Sequence, residues 1–127
     1  MSEFVEVKTA DLVGAALDWV VAIAVGCQEI SATSAGVTCI YGMSDGDTCW
    51  TNLYQPSLDW SQGGPLIEKY KLDIGAPLEN KSGPWNAATE WGHPDGYKGE
   101  TPLIAACRAI VASVLGETVS VPKELLS

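Results

Sequence analysis

A glycine-rich segment in the middle of the chain has the composition of a ligand-binding turn. Trp60 and Ser61 precede the glycine pair Gly63-Gly64, and Pro65 follows it. Paired glycines let a backbone approach a ligand closely, and a helix that starts at Pro65 would present free amides. No Lys-Ser or Lys-Thr follows, so the segment does not have the pattern of a phosphate loop. We predict that it forms one side of a small-ligand site.

The start of a predicted C-terminal helix offers a second feature of this kind. Thr101 is the expected cap, and the amides of the first turn are unpaired at the positive end of the helix. Arg108, the only arginine, follows about two turns later. Its guanidinium is expected either to pair with Glu68 or another carboxylate, or to contact an anionic ligand.

Aromatic residues are concentrated in the middle of the chain. Four of the five tryptophans and all four tyrosines lie between residues 41 and 97. Large flat side chains on loops stack on planar ligands or anchor a protein partner, although they also serve to pin a loop to its own domain. We predict that Trp91 and Tyr97 are stacking residues of the ligand site.

Residues with catalytic potential are few. His93 is the only histidine, and the carboxylates of Asp59, Glu68 and Glu90 show no spacing that places two of them on one face. The chain has no nucleophile elbow, dinucleotide fingerprint or metal-binding histidine pair, and its four cysteines form no Cys-x-x-Cys motif. We therefore predict free structural thiols and no enzymatic activity, metal or cofactor.

Two helices are predicted from apolar residues at three- and four-residue steps, over residues 9–25 and 101–115, with Thr9 and Thr101 as caps and Gly26 and Gly116 as stops. Strands are predicted over residues 4–7, 37–41, 49–51, 72–74, 85–91 and 118–121, and a loop over 92–100. The order predicts one α+β domain over residues 1–127. Its small antiparallel sheet is bracketed by an N-terminal and a C-terminal helix, with long aromatic-rich loops.

The charge of the chain restricts its partners. Seven basic residues face 16 acidic ones, which gives a net charge of −9 at pH 7. Nucleic-acid binding needs a basic surface, so we predict none, whereas the acidity suits solubility or a basic protein partner. No apolar run reaches membrane-spanning length, and the N-terminal residues are acidic where a signal peptide is basic. We predict neither a membrane segment nor secretion.

Several blocks of sequence resemble the NinX-like family of phage and prophage proteins. They are residues 14–22 (GAALDWVVA), 56–68 (PSLDWSQGGPLIE) and 101–108 (TPLIAACR), and the shorter segments 111–113 (VAS) and 119–122 (VSVP) fit as well. The resemblance implies a tailed-phage or prophage origin and a place in the bacterial cytoplasm. It implies no mechanism, because the family is one of unknown function.

Two hypotheses follow. The first is a non-enzymatic phage accessory protein that binds a small, nucleotide-like ligand to counter host defence, and it allows a homo-oligomer. Its ligand-binding residues are Trp60, Ser61, Gly63, Gly64, Trp91, Tyr97, Thr101 and Arg108. The second is an acidic protein–protein interaction module that inhibits a host factor through a tryptophan-rich face.

Overall fold

The computed structural model describes residues 3–43, 45–77, 84–89 and 96–126. Within these residues the helices are α1 (Gly14–Ala24), α2 (Trp60–Lys69) and α3 (Pro102–Leu115). The strands are β1 (Phe4–Lys8), β2 (Gln28–Thr33), β3 (Gly36–Gly42), β4 (Thr48–Thr51), β5 (Asp73–Gly75), β6 (Trp85–Ala88), β7 (Tyr97–Gly99) and β8 (Thr118–Pro122).

The strands form three small antiparallel sheets. β1 pairs with β8, β3 lies between β2 and β4, and β6 lies between β5 and β7. The predicted α+β class is confirmed. The predicted arrangement was too simple, because the described residues form three separate sheets and a third helix instead of one sheet between two helices.

The main hydrophobic core lies between α1, α3 and the inner face of β3. Its largest fully buried side chains include Leu12, Leu17, Val20, Val21, Val37, Tyr54, Ile110 and Val111. Burying one aliphatic side chain of this size stabilises a fold by roughly 1.5–3 kcal/mol. These residues recur at helical spacing in α1 and α3 and at alternate positions in β3, which explains why both helices are predictable from sequence.

A second, smaller core joins α3 to the sheet β5–β6–β7. Ala105, Ala106 and Ala109 of α3 pack against Ala87 of β6. A side chain at Gly99 of β7 would stand 2.6 Å from the backbone nitrogen of Ala105. Small residues therefore allow the sheet to lie directly against the helix, and α3 has covered faces on two sides.

The first helix begins later than predicted. Thr9 does not cap α1: it lies in a short 3₁₀ turn, Thr9–Asp11, and its hydroxyl donates a 2.8 Å hydrogen bond to the carbonyl of Gly116. Val13 is extended and Gly14 has a φ of 61°, so no helix can run through this junction. Thr9 instead ties the beginning of the chain to the end of α3. The caps Thr101 and Gly116 of α3 are confirmed.

The segment predicted as a glycine turn is helical. α2 begins at Trp60, because the carboxylate of Asp59 caps it by accepting hydrogen bonds from the amide and the hydroxyl of Ser61, at 2.8 and 2.6 Å. These bonds lower the pKa of Asp59. Pro65 was predicted in the first turn but lies inside the helix, where it leaves the Ser61 carbonyl without its usual amide donor.

Two further predictions need correction. β2 was not predicted, because its sequence is polar and its pairing with β3 is irregular between Gln28 and Ser31. Part of the loop predicted over 92–100 is strand β7, which pairs with β6. Of the strand predicted over 85–91, residues 85–88 form β6. Glu90, Trp91 and His93 lie outside the described residues.

A buried carboxylate positions the segment that leads into α2. Asp18 of α1 is only 3% exposed and accepts a 2.9 Å hydrogen bond from the backbone amide of Ser57. Burial raises the pKa of Asp18 to about 6, and the hydrogen bonds from Ser57 oppose the shift only in part. The contact fixes the chain immediately before the Asp59 cap.

Close packing positions α2 from the other side. A β-carbon at Gly63 would overlap the carbonyl oxygen of Pro56 and would stand 2.8 Å from Cδ2 of Leu103 in α3. At Gly64 the nearest atom, Cε3 of Trp60, would be 3.7 Å away, an ordinary contact. Gly63 is therefore a packing residue, whereas Gly64 is not sterically required.

This difference predicts opposite effects for two adjacent substitutions. Gly63→Ala should lower the free energy of unfolding by about 2–3 kcal/mol, because the Pro56 backbone must move. Gly64→Ala should leave it unchanged or raise it by up to about 1 kcal/mol, because alanine favours a helix over glycine. Urea denaturation measures both. Equal effects of the two substitutions would contradict the packing described for Gly63.

The raised pKa of Asp18 predicts a specific pH dependence of stability. A carboxyl whose pKa rises from 3.8 to about 6 on folding contributes stability below pH 3.8 that is lost as the pH rises through 6. The loss amounts to about 3 kcal/mol, at about 1.4 kcal/mol per pKa unit. Asp18→Asn removes this ionisation, so its unfolding free energy relative to the original protein should rise by about that amount between pH 4 and pH 8.

The asparagine at position 18 keeps an oxygen for the Ser57 amide. Asp73→Asn, at an exposed position, is the matched control and should show no such trend. A difference between Asp18→Asn and the original protein that stays constant with pH would refute the assignment.

Candidate functional site

A cleft of about 680 Å³ opens between α2, the β3–β4 hairpin and the C-terminal end of α1. Small-molecule sites usually have volumes of about 300–1,000 Å³. Residues from separate parts of the chain form it, including Val25 and Gly26 after α1, Tyr41 and Met43 at the end of β3, and one face of α2.

The wall formed by α2 follows from its helical period. The residues that line the cleft are Ser61, Gln62, Pro65, Leu66, Glu68 and Lys69. They lie at steps of one, three and four residues, which places them on one side of a helix. The cleft wall therefore exists only because the segment after Asp59 is helical.

Two tyrosines form the aromatic part of the cleft. The ring of Tyr54 is 2% exposed and lies 5.4 Å, centroid to centroid, from the half-buried ring of Tyr41. The Tyr54 amide donates a 2.8 Å hydrogen bond to the carbonyl of Val37, which fixes this segment beside β3. Aromatic pairs at this separation prefer tilted or offset geometry, and the interplanar angle here is 36°.

Gln62 connects the α2 wall to the tyrosine segment. Its side-chain oxygen accepts a 2.7 Å hydrogen bond from the amide of Gln55, and its side-chain nitrogen donates to the carbonyl of Leu53 at 3.3 Å. Gln62 thus holds residues 53–55 against the helix. Its polar groups are used for structure, and this keeps Tyr54 in place beneath the cleft.

The thiols beneath the cleft are in an unreactive environment. The four cysteines are free, and the Cys27 side chain is within hydrogen-bonding reach of Cys39 and of the Tyr54 hydroxyl. Burial raises the pKa of Cys27, Cys39 and Cys107, and it also raises the pKa of Tyr54. Because the thiolate is the nucleophile, raised pKa values argue against covalent chemistry here.

In the part of the chain that the structure describes, the charged groups that line the cleft are Glu68 and Lys69. The Lys69 ammonium lies 5.7 Å from the centroid of the Tyr70 ring, within range of a cation–π interaction. Among the described residues Lys69 forms no salt bridge. One cation and one anion among the side chains that line the cleft can orient a polar ligand without attracting a highly charged one.

Of the four predicted site residues in α2, one lines the cleft. Ser61 does, although its hydroxyl is bonded to Asp59. Trp60 is mostly exposed, and Gly63 faces Pro56 and Leu103. Neither Trp60 nor Gly63 lines the cleft. Gly64 is half-buried next to Trp60.

Two further predicted site residues, Thr101 and Tyr97, lie at α3. Thr101 caps α3 by accepting a 3.1 Å hydrogen bond from the amide of Ile104, and Tyr97 packs on the small alanine core. Neither lines the cleft. Trp91 lies outside the described residues. α2 and the first turn of α3 do touch, through Gly63 and Leu103.

Arg108 connects two backbone segments. Its Nε donates a 2.9 Å hydrogen bond to the carbonyl of Leu12, and Nη1 donates a 2.6 Å bond to the carbonyl of Lys98. Burial lowers its pKa, and the nearby carboxylates of Asp11 and Glu100 oppose this shift. Arg108 was expected to pair with Glu68 or another carboxylate, or to contact an anionic ligand. Among the described residues its hydrogen bonds go to two backbone carbonyls, which joins the segment before α1 to β7.

Sequence reasoning missed Tyr41, Tyr54 and Lys69 as a group, because the chain brings them together only in three dimensions. One local signal was available: Asp59 two residues before Ser61 is a helix-cap pattern that predicts the correct start of α2. From that start the helical period gives the cleft-lining face directly.

The described residues contain no cluster of side chains suited to a metal ion. Within the same residues no helix combines the length and the apolar character needed to cross a bilayer.

The geometry of Arg108 predicts a structural phenotype for its replacement. Arg108→Lys retains the charge but cannot reach two carbonyls in different directions, so it should lower the unfolding free energy by about 1–3 kcal/mol. Urea denaturation measures this, with Lys98→Arg, at an exposed side chain, as a control expected to be neutral. Unchanged stability after Arg108→Lys would refute the carbonyl contacts and favour a ligand contact.

Comparison with known proteins places the chain in a family. No curated protein matches it. The family model described as "Bacteriophage P22, NinX" matches residues 8–114. This range contains the whole cleft and the helices α1, α2 and α3, apart from Leu115 at the end of α3. The chain therefore belongs to the bacteriophage P22 NinX family, as the resemblance in its sequence indicated.

Proposed function

We propose that this phage protein is a non-enzymatic binding protein whose cleft holds a small, flat, nucleotide-like ligand. The observation that carries the proposal is the cleft of about 680 Å³ with an aromatic pair on one side. Tyr41, Met43, Pro65 and Leu66 offer apolar surface to a ring. Stacking on such surfaces is worth about 1–3 kcal/mol per base in single-strand binding proteins.

The polar groups around the cleft support binding more than catalysis. Asp59 is held by Ser61, and Gln62 is held by Gln55 and Leu53. The Tyr54 hydroxyl is buried and has a raised pKa. General acid–base catalysis needs a titratable group placed at the substrate; Asp59 and Tyr54 are occupied in the fold, and Glu68 and Lys69, which line the cleft, suit the orientation of a ligand.

A binding protein of this kind would act by sequestration. Membership of a phage family supports a role during infection, in the cytoplasm of the bacterial host. Removal of a nucleotide-like signal requires affinity and no turnover, and it would interrupt a host defence response that depends on that signal. A homo-oligomer is compatible with the role, since the cleft lies within one chain.

Blocking the cleft should abolish ligand binding without disturbing the fold. Gly42 lines the cleft, and a β-carbon built on it meets no atom within 4 Å, so Gly42→Trp can fill the space. Thermal unfolding is measured with a panel of nucleosides and nucleotides at millimolar concentration. A ligand at 100 times its Kd stabilises the native protein by about 2.7 kcal/mol, which corresponds to several degrees.

We expect a member of the panel to raise the unfolding temperature of the original protein and to leave that of Gly42→Trp unchanged. Ser31→Trp, at an exposed position in β2 outside the cleft, is the matched control and should respond normally. A response that survives Gly42→Trp would place the site elsewhere, and no response from the original protein would contradict the proposal.

A second candidate function is an acidic interaction module that inhibits a host protein. Two indoles favour it: the side chain of Trp50 is 62% exposed and that of Trp60 is 56% exposed, on a chain with a net charge of −9. Exposed tryptophans are frequent anchors of protein interfaces. Two results together would favour this function: no ligand of the panel raises the unfolding temperature, and the protein captures a defined host protein in a way that Trp50→Ala abolishes.

A further inference from the structure

The surroundings of the cleft carry more negative than positive charge. Glu68 and Lys69 line it and offset each other. Gly46 also lines it, and this glycine stands between the exposed carboxylates of Asp45 and Asp47 at the tip of the β3–β4 hairpin.

Asp59 adds a further negative charge on the α2 side. Hydrogen bonds from Ser61 lower its pKa, so its carboxylate is ionised at neutral pH. The chain as a whole carries a net charge of −9, which opposes the approach of any polyanion.

Of the residues that the structure describes, Lys69 supplies the positive group that is placed to meet a ligand. Lys69 lies at the end of α2 on the same face as Pro65 and Leu66, so an anionic group can contact its ammonium while a ring occupies the apolar surface. A single lysine suits a single phosphate, whereas sites for polyphosphates combine several cationic groups, metal ions or rows of free amides.

We infer that the cleft takes a heteroaromatic ligand with at most one phosphate, a nucleoside or nucleoside monophosphate, and discriminates against polyphosphates. The inference rests on the proposed function, because it defines which ligands of the nucleotide class the same cleft accepts. Each added phosphate brings negative charge among the carboxylates of Glu68, Asp45, Asp47 and Asp59, and the described residues that line the cleft offer no cation beyond Lys69 to meet it.

The test is calorimetric titration with adenosine, AMP and ATP, and with the guanosine and uridine equivalents, in EDTA at 50 mM NaCl. For the base that binds, the dissociation constants of the nucleoside and the monophosphate should differ by less than about fivefold. The triphosphate should bind at least tenfold more weakly than the monophosphate. This gap should narrow in 0.5 M NaCl, because salt screens repulsion between exposed charges.

Two substitutions identify the charges responsible. Lys69→Gln should weaken monophosphate binding at least fivefold and should change nucleoside affinity by less than twofold. Glu68→Gln should strengthen the binding of the monophosphate and of the triphosphate severalfold. Lys71→Gln and Glu6→Gln, at exposed positions outside the cleft, are the matched controls. They should leave the affinities for the nucleoside and for the phosphorylated ligands unchanged.

The outcomes separate this inference from the proposed function. A triphosphate that binds as tightly as the monophosphate, or a Lys69→Gln variant that retains full monophosphate affinity, would overturn the inference while the cleft remains a ligand site. No binding by any nucleoside or nucleotide would overturn both.

Discussion

The hydrogen bond between the Asp18 carboxylate and the Ser57 amide is the contact on which the cleft depends. It joins the buried side of α1 to the segment that enters α2, across 39 residues of chain. Gly63 completes the attachment by letting α2 lie against Pro56 and Leu103. With α2 fixed in this way, its opposite face becomes one wall of the cleft, so a core contact determines the shape of a surface site.

The Asp18 contact has an energetic drawback that clarifies its role. A carboxylate this deeply buried favours its neutral form, which is why its pKa rises to about 6. An apolar residue at this position would avoid the desolvation but would leave the Ser57 amide without a partner. Buried polar contacts of this kind specify one arrangement of segments more than they add stability, and here the arrangement specified is the entry into α2.

Apolar periodicity predicted α1, α3 and most of the strands, and the caps of α3 were predicted as well, because those signals are local. The prediction of a turn over residues 60–65 failed because two glycines and a proline are poor helix formers, and tertiary contacts overrode that preference. The Asp59 cap and the packing of Gly63 account for the override. The cleft could not be predicted, since Tyr41, Tyr54 and Lys69 are adjacent only in the folded chain.

The antiparallel ribbon of β1 and β8 brings the first and the last strand of the described residues together, with Phe4 opposite Pro122. Most of this ribbon falls outside residues 8–114, the range that matches the family. A short linker can therefore join β8 to β1, and the chain can be opened in the exposed turn at Ser34 and Ala35, between β2 and β3. Circular permutation of this kind would leave the cleft intact and would free either end for immobilisation on a sensor surface.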